Sequence, residues 1–210
     1  MTVYIEKPAV NLREELASLR NQGGYQEQQF YFDGLVTNGT FDTDTNWTKG
    51  TGWTISGGVA TKVGADNTSI YQDLDTNIGS SYLLSFTVVA DGGTLRSIIN
   101  GVTLNFEAVG TYTRTFVASS STTAILFNGG SFGANGSIDN ISVFEVDAND
   151  DVIHTMPKGW VPKDVYEDGL LQREGSAHDY EVVYDGFDYF VKPTVAPSAT
   201  TQTCVIGVKA

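Results

Sequence analysis

Asn38-Gly39-Thr40-Phe41-Asp42 and Ser137-Ile138-Asp139-Asn140-Ile141-Ser142-Val143 are the two ends of the stretch that decides the fold. Between them, short runs of β-branched and aromatic residues alternate with polar, glycine-rich breaks, and no helical periodicity is long enough to compete. We therefore predict a jelly-roll β-sandwich over residues 30–148. Its candidate strands are 52–56, 58–63, 68–73, 81–90, 95–99, 102–106, 111–118, 123–128 and 138–146, and Asn100-Gly101 is the strongest hairpin signal.

An N-terminal arm, residues 1–29, precedes this body. Asn11 and Glu14 have the form of a capping box and Gly23-Gly24 ends the helical pattern, which predicts a short helix. Two or three turns are too short to be stable alone in water, so the helix must pack on its own domain or on another protein. The residues predicted to make that contact are the leucine stripe and two residues of the extended segment before it: Leu12, Leu16, Leu19, Tyr4 and Ile5.

A small β-meander module is predicted over residues 152–210, after an acidic linker at 147–151. Asp168-Gly169 and Asp185-Gly186 each stand between apolar or alternating runs, which predicts two consecutive hairpins. Residues 203–208 supply a closing strand, with Cys204 inside it as a buried thiol. The predicted fold class is therefore all-β, with a short helical arm at the N-terminus.

The composition excludes several classes of function. The formal net charge is −13, and the sequence has no clusters of lysine and arginine that could neutralise phosphates. We therefore expect no nucleic-acid partner. No run is long and apolar enough for membrane insertion, and the absence of a signal peptide predicts assembly in the cytoplasm. There is no nucleophile elbow, phosphate loop or metalloprotease pattern, and His154 and His178 have the settings of surface residues. We expect neither an enzyme nor a cofactor.

The motifs at both ends of the body carry a resemblance. Asn-Gly-x-Phe-Asp at 38–42, Gly-Trp at 52–53 and the closing Ile-Asp-Asn-Ile-Ser-Val resemble carbohydrate-binding modules of the jelly-roll type, which also occur as building blocks of tailed-phage particles. Residues 152–210, with Val195-Ala196-Pro197, resemble small β modules of phage tail and capsid-appendage proteins. Fold resemblance alone does not establish sugar binding.

The function predicted from these resemblances is that of a structural protein of a tailed-phage virion. The favoured role is a capsid decoration or cement protein of the head-fibre type, held to capsid or tail proteins through residues 1–20 and itself a homo-oligomer. A tail-fibre or baseplate accessory protein is one alternative. The other is a glycan-binding module that recognises host surface polysaccharide and so serves host adhesion.

Two kinds of site follow. The resemblance implies a structural calcium held by Asp42 and Asp139 with backbone carbonyls, although the family commonly has Glu at the first position; otherwise Asp139 is a turn or cap residue. Asp139 shares strand parity with Ile141, which predicts an inward carboxylate. For sugar stacking, Trp47 is the candidate, because it stands in a polar loop, whereas Trp53 and Tyr71 have the pattern of core residues.

Overall fold

The computed structural model describes residues 27–32, 34–64, 66–91, 95–106, 108–129, 135–175, 177–198 and 200–209, and these residues form an all-β protein. The predicted arm helix, with Tyr4, Ile5, Leu12, Leu16 and Leu19, lies outside them. The strands are β1 Glu27–Phe32, β2 Thr48–Lys49, β3 Trp53–Ser56, β4 Val59–Lys62, β5 Ser69–Asp75, β6 Ser81–Asp91, β7 Leu95–Ile99, β8 Val102–Phe106, β9 Gly110–Val117, β10 Thr122–Gly129, β11 Gly136–Val146, β12 His154–Thr155, β13 Trp160–Glu167, β14 Leu170–Leu171, β15 Tyr180–Tyr184, β16 Tyr189–Pro193 and β17 Thr203–Lys209.

Strands β2 to β11 form the jelly roll from two five-stranded sheets. The strand orders are β2-β5-β10-β7-β8 and β3-β4-β11-β6-β9. Inward residues alternate with outward ones along each strand, as on β5, where Ile70 and Leu74 are fully buried. The inner faces share one core whose largest residues include Phe41, Phe86 and Phe127. The sandwich predicted from the sequence is confirmed.

The predicted hairpin at Asn100-Gly101 is also confirmed. Ile99 pairs with Val102 across it, and the two turn residues have φ angles of 51° and 76°. Positive φ at both positions is the signature of a type I′ turn, whose twist matches that of the strands that it joins. This turn fixes the register of β7 and β8 at one edge of the first sheet.

The remaining strands form the C-terminal module, with strand orders β1-β17-β13-β14 and β12-β16-β15. Both Asp-Gly hairpins and the closing strand form as predicted, although Cys204 is half-buried rather than enclosed. Val165, Val191 and Val205 are fully buried between the sheets. Residues 30–32, which the sequence placed in the jelly roll, pair with β17 as part of β1, so the chain enters this module before it enters the sandwich.

The module packs on the outer face of the sheet β3-β4-β11-β6-β9. Phe144 and Val146 of β11 are buried there with Val152, and the His154 ring stacks on Phe32 with 5.0 Å between ring centroids. His154 is only 4% exposed, so its assignment to the surface was wrong; the two modules enclose it between them. No helix of the described residues is long and apolar enough to cross a membrane.

Candidate functional site

The outward side of the sheet β2-β5-β10-β7-β8, which we call the open face, lies on the side of the jelly roll opposite to the C-terminal module. Side chains of paired residues point to the same side of a sheet, so the register defines rows across this face. The central row is Thr48, Tyr71, Leu126, Ile98 and Thr103. Three adjacent apolar or aromatic side chains, all half-buried, thus form the middle of the face.

A second row, made of polar residues, lies beside the central row and is displaced from it by two residues along each strand. It consists of Ser69, Asn128, Arg96 and Asn105, each paired with the next. The Oδ1 atom of Asn128 and the Nε atom of Arg96 are both buried and have no hydrogen-bond partner among the described residues. Asp73 and Ala124 form the row on the other side of the central row. The open face therefore combines an apolar strip with polar side chains whose hydrogen bonds are incomplete among the described residues.

The three aromatic candidates from the sequence have different places. Trp47 is 7% exposed, packs against Phe41 with 5.2 Å between ring centroids, and donates its indole N–H to the Asn38 carbonyl at 3.0 Å. A sugar has no access to that ring, so the assignment of Trp47 to glycan stacking is corrected. Trp53 is a core residue, as expected. Tyr71 was expected in the core, but its register with Leu126 and Thr48 places it on the open face.

The opening motif of the jelly roll packs directly against its closing strand. The Ile141 N–H donates to the Gly39 carbonyl at 2.9 Å, and Gly39 is buried. The Asn38 side chain closes the following loop by donating to the carbonyls of Thr43 and Thr45 at 2.7 and 3.0 Å. We call this arrangement of residues 38–42 and 139–141 the clasp. It joins the first and last parts of the sandwich.

Asp42 and Asp139 are neighbours in the clasp. Burial raises the pKa of the Asp139 carboxyl and the negative charge of Asp42 raises it further, while the Asn140 N–H, bonded to Asp139 at 2.6 Å, opposes them. Asp42 accepts a hydrogen bond from the Thr40 hydroxyl at 2.7 Å. A cation between the two carboxylates would relieve their repulsion. Since no group of three or more metal-ligating side chains occurs among the described residues, calcium here would need backbone carbonyls as well, and it stays a prediction.

A β-bulge explains why Asp139 is only half-buried. The pairing of β11 with β6 shifts between Asp139 and Ser142, and Asn140 has a φ of 52°. Ile138 and Ile141 are both fully buried although they are three positions apart, an odd number, so strict alternation fails at this point. The inward carboxylate predicted from parity with Ile141 is therefore corrected: Asp139 follows the buried Ile138 and pairs with Thr87 on the outward side of β6.

Arg96 and Asn128 were not among the site residues predicted from the sequence. Alternation along 95–99 and 123–128 indicates that both oppose buried residues, and the Asn-Gly turn sets Arg96 opposite Asn105. No local signal in the sequence, however, indicates that β10 pairs with β7. The 22 residues between Ile99 and Thr122 include β8 and β9, so this pairing depends on the jelly-roll topology. The juxtaposition of these two side chains is a product of the topology.

Solved structures similar to this chain are mostly carbohydrate-binding modules with the jelly-roll fold. They include a family 4 module (19% identity, TM-score 0.42, covering 52% of this chain and 99% of that chain) and the N-terminal cellulose-binding domain of the Cellulomonas fimi β-1,4-glucanase C (18%, 0.43, 53% and 97%). Another is the enzymatically active domain of tailspike protein 4 from bacteriophage CBA120 (18%, 0.40, 54% and 21%). No protein-family model and no curated protein matches this chain. At these values the likenesses do not show what this chain binds.

Proposed function

We propose that this protein is a non-catalytic glycan-binding module and that a polysaccharide lies across its open face. The observation that carries the proposal is the cross-strand row of Tyr71, Leu126 and Ile98 beside the unpartnered polar atoms of Asn128 and Arg96. Sugar rings present apolar C–H faces that pack on aromatic and aliphatic side chains, and hydroxyls at their edges that need hydrogen-bond partners. The open face offers both, side by side.

The shape of the central row favours a chain over a single sugar. Its five residues lie on five adjacent strands about 4.8 Å apart, so the row is about 19 Å long. The sugar units of an extended polysaccharide would each meet a different strand. Many weak contacts distributed along a chain give useful affinity without a deep pocket.

Asp73 and Asp75 lie on this face two residues apart, which raises the question of glycoside hydrolysis. A catalytic acid at neutral pH requires an environment that raises its pKa, such as burial or a close like charge. Both carboxylates are exposed to solvent. We therefore assign them to the rim of the face and propose no catalytic step.

Affinity electrophoresis tests this proposal. The protein is run in native gels that contain a neutral β-glucan, xylan, galactomannan or dextran, or bacterial capsular or O-antigen polysaccharides. We expect at least one polymer to retard the wild type, and Tyr71→Ala to lose that retardation. Tyr184→Ala is the matched control, since Tyr184 is an exposed tyrosine of the C-terminal module. Equal mobility of the wild type in every gel would overturn the proposal.

A second role, in a tailed-phage particle, is favoured by the surface of the C-terminal module. Its exposed apolar side chains include Leu170, Leu171 and Val195, and Phe187 at the second Asp-Gly hairpin is 85% exposed. Leu170 and Leu171 are consecutive residues of β14, and a contiguous exposed apolar patch is typical of a protein contact. We propose that this module faces a protein partner while residues 1–20 anchor the chain to capsid or tail proteins. Deletion of residues 1–20 should release the protein from particles with its β domains still folded, and full incorporation of the deleted form would exclude the arm as anchor.

A further inference from the structure

We infer that the open face selects glycans that carry carboxylate groups, with Arg96 as the residue that recognises the acid. This inference rests on the proposed function and names the class of sugar that the same site would bind. Arg96 stands directly opposite Asn128 on the neighbouring strand β10, and opposite Asn105 on β8. It therefore lies inside the sheet rather than at an edge, next to the apolar row on which a sugar ring would pack.

Arg96 and Asn128 each have a polar atom that lacks a hydrogen bond among the described residues. Asn128 is only 6% exposed, and within the part of the chain that the structure describes its Oδ1 atom has no donor and the Nε–H of Arg96 has no acceptor. An unsatisfied buried polar atom costs about 1–3 kcal/mol, and more when the group is charged. Both atoms lie below the surface, so a ligand reaches them only when the two side chains turn outward; a ligand that then offers a donor to Asn128 and an acceptor to Arg96 would remove both penalties. The hydroxyl and carboxylate of one uronic acid ring have that combination.

The positive charge of Arg96 favours an anionic ligand. It is the single positively charged residue in the rows of the open face, and no ion pair joins it to another described residue. Among the described residues of the open face, the nearest acid by register is Asp73, which lies on β5 beyond the central row. A half-buried guanidinium without a carboxylate is an unusual feature, because desolvated charges are normally paired. Planar, bidentate recognition of a carboxylate is what arginine does best.

The net negative charge of the whole chain narrows the range of acidic glycans that the open face can bind. With a formal charge of −13, the protein repels dense polyanions at long range. Binding of an acidic glycan must therefore come from short-range contact with Arg96 rather than from general electrostatic attraction. We expect polymers with one carboxylate per sugar or fewer to bind, and heavily sulfated polymers such as heparin not to bind.

The test compares polymers that differ only in charge. Polygalacturonate, alginate and hyaluronan are each paired with their methyl-esterified form, and binding is measured by isothermal titration calorimetry. We expect at least one acidic polymer to bind at least tenfold more tightly than its ester. Arg96→Gln should remove that preference, Arg96→Lys should keep part of it, and Arg173→Gln, which changes an exposed arginine of the C-terminal module, should leave it unchanged.

The outcomes separate this inference from the proposed function. Binding of a neutral polymer that depends on Tyr71 but not on Arg96, with no preference for any acid, would overturn the inference and leave the glycan-binding role in place. Equal affinity of the wild type for acid and ester would also overturn it, because Arg96 and Asn128 would then be bonding to neutral hydroxyls. No binding of any glycan would overturn both.

Discussion

Gly39 and Ile141 are in such close backbone contact that a β-carbon built on Gly39 would stand 1.9 Å from the Ile141 carbonyl oxygen. The glycine of the opening motif is therefore required by the approach of the closing strand, and its own backbone φ does not fall in the left-handed region. Phe41, two residues later, has a φ of 53° and is fully buried. The clasp depends on close packing at the one residue and on an unusual turn at the other.

Gly39→Ala is expected to be among the most damaging single-methyl changes in the protein. The added carbon must push the two backbone segments apart, which we expect to lower the free energy of unfolding by about 3 kcal/mol, the upper end of the usual cost of overpacking. Gly57→Ala is the control, since Gly57 has open space around it and a φ of 63°, so only a backbone cost of about 1 kcal/mol applies. Urea denaturation of both variants measures the difference. Equal losses would show that the close contact does not matter.

The buried His154 makes the seam between the two modules sensitive to acid. Burial lowers the pKa of its imidazole from 6.5 to about 4, so the folded state holds the neutral form. Stability from this group is complete above pH 6.5 and is lost as the pH falls toward 4, because the unfolded chain takes up the proton first. Between pH 7.5 and 5 we expect a loss of about 2 kcal/mol.

Variants at the two histidines isolate this effect. His154→Leu replaces the imidazole by an apolar side chain between Phe32 and Phe144, so it should flatten this part of the pH profile of unfolding. His178→Gln should retain the slope, because His178 is exposed. Guanidinium denaturation between pH 5 and 7.5 gives both profiles. A wild-type slope that persists in His154→Leu would assign the acid sensitivity to other groups.

Calcium should stabilise the clasp if the two carboxylates hold it. The raised pKa of Asp139 means that, without a cation, stability from this group is present below its unfolded pKa and is lost as the pH rises through its folded pKa. At pH 7 we therefore expect millimolar calcium to raise the Tm of the wild type and not that of Asp139→Asn. Asp66→Asn, at an exposed loop position, should respond as the wild type does. A wild-type Tm that is the same in calcium and in EDTA would exclude the site.

The sequence predicted the strands better than it predicted which side chains reach the surface. The breaks at glycine and Asn-Gly turns predicted the limits of nine jelly-roll strands to within about two residues, because turn chemistry is local; the short strand β2 was not predicted. Trp47 shows the limit: its polar loop folds back so that the indole N–H reaches the Asn38 carbonyl, which no neighbour in sequence indicates.

Three other differences have the same origin in long-range contact. Asp139 departs from strand alternation because a β-bulge follows it. His154 is buried because the C-terminal module packs over it. Tyr71 faces outward because β5 turns the alternate residues, Ile70 and Leu74, toward the core. Arg96 and Asn128 lie side by side only because the jelly-roll topology pairs β7 with β10. Positions that depend on a single turn were predictable, and positions that depend on the pairing of distant strands were not.

The most direct test of the glycan-binding role is the change in dissociation constant on Tyr71→Ala, measured by calorimetry with the polysaccharide that retards the wild type in the gel. Loss of the ring from the central row should weaken binding at least tenfold, which corresponds to about 1.4 kcal/mol, while Tyr184→Ala binds as the wild type does. An unchanged dissociation constant for a folded Tyr71→Ala variant would contradict the assignment of the open face as the binding site.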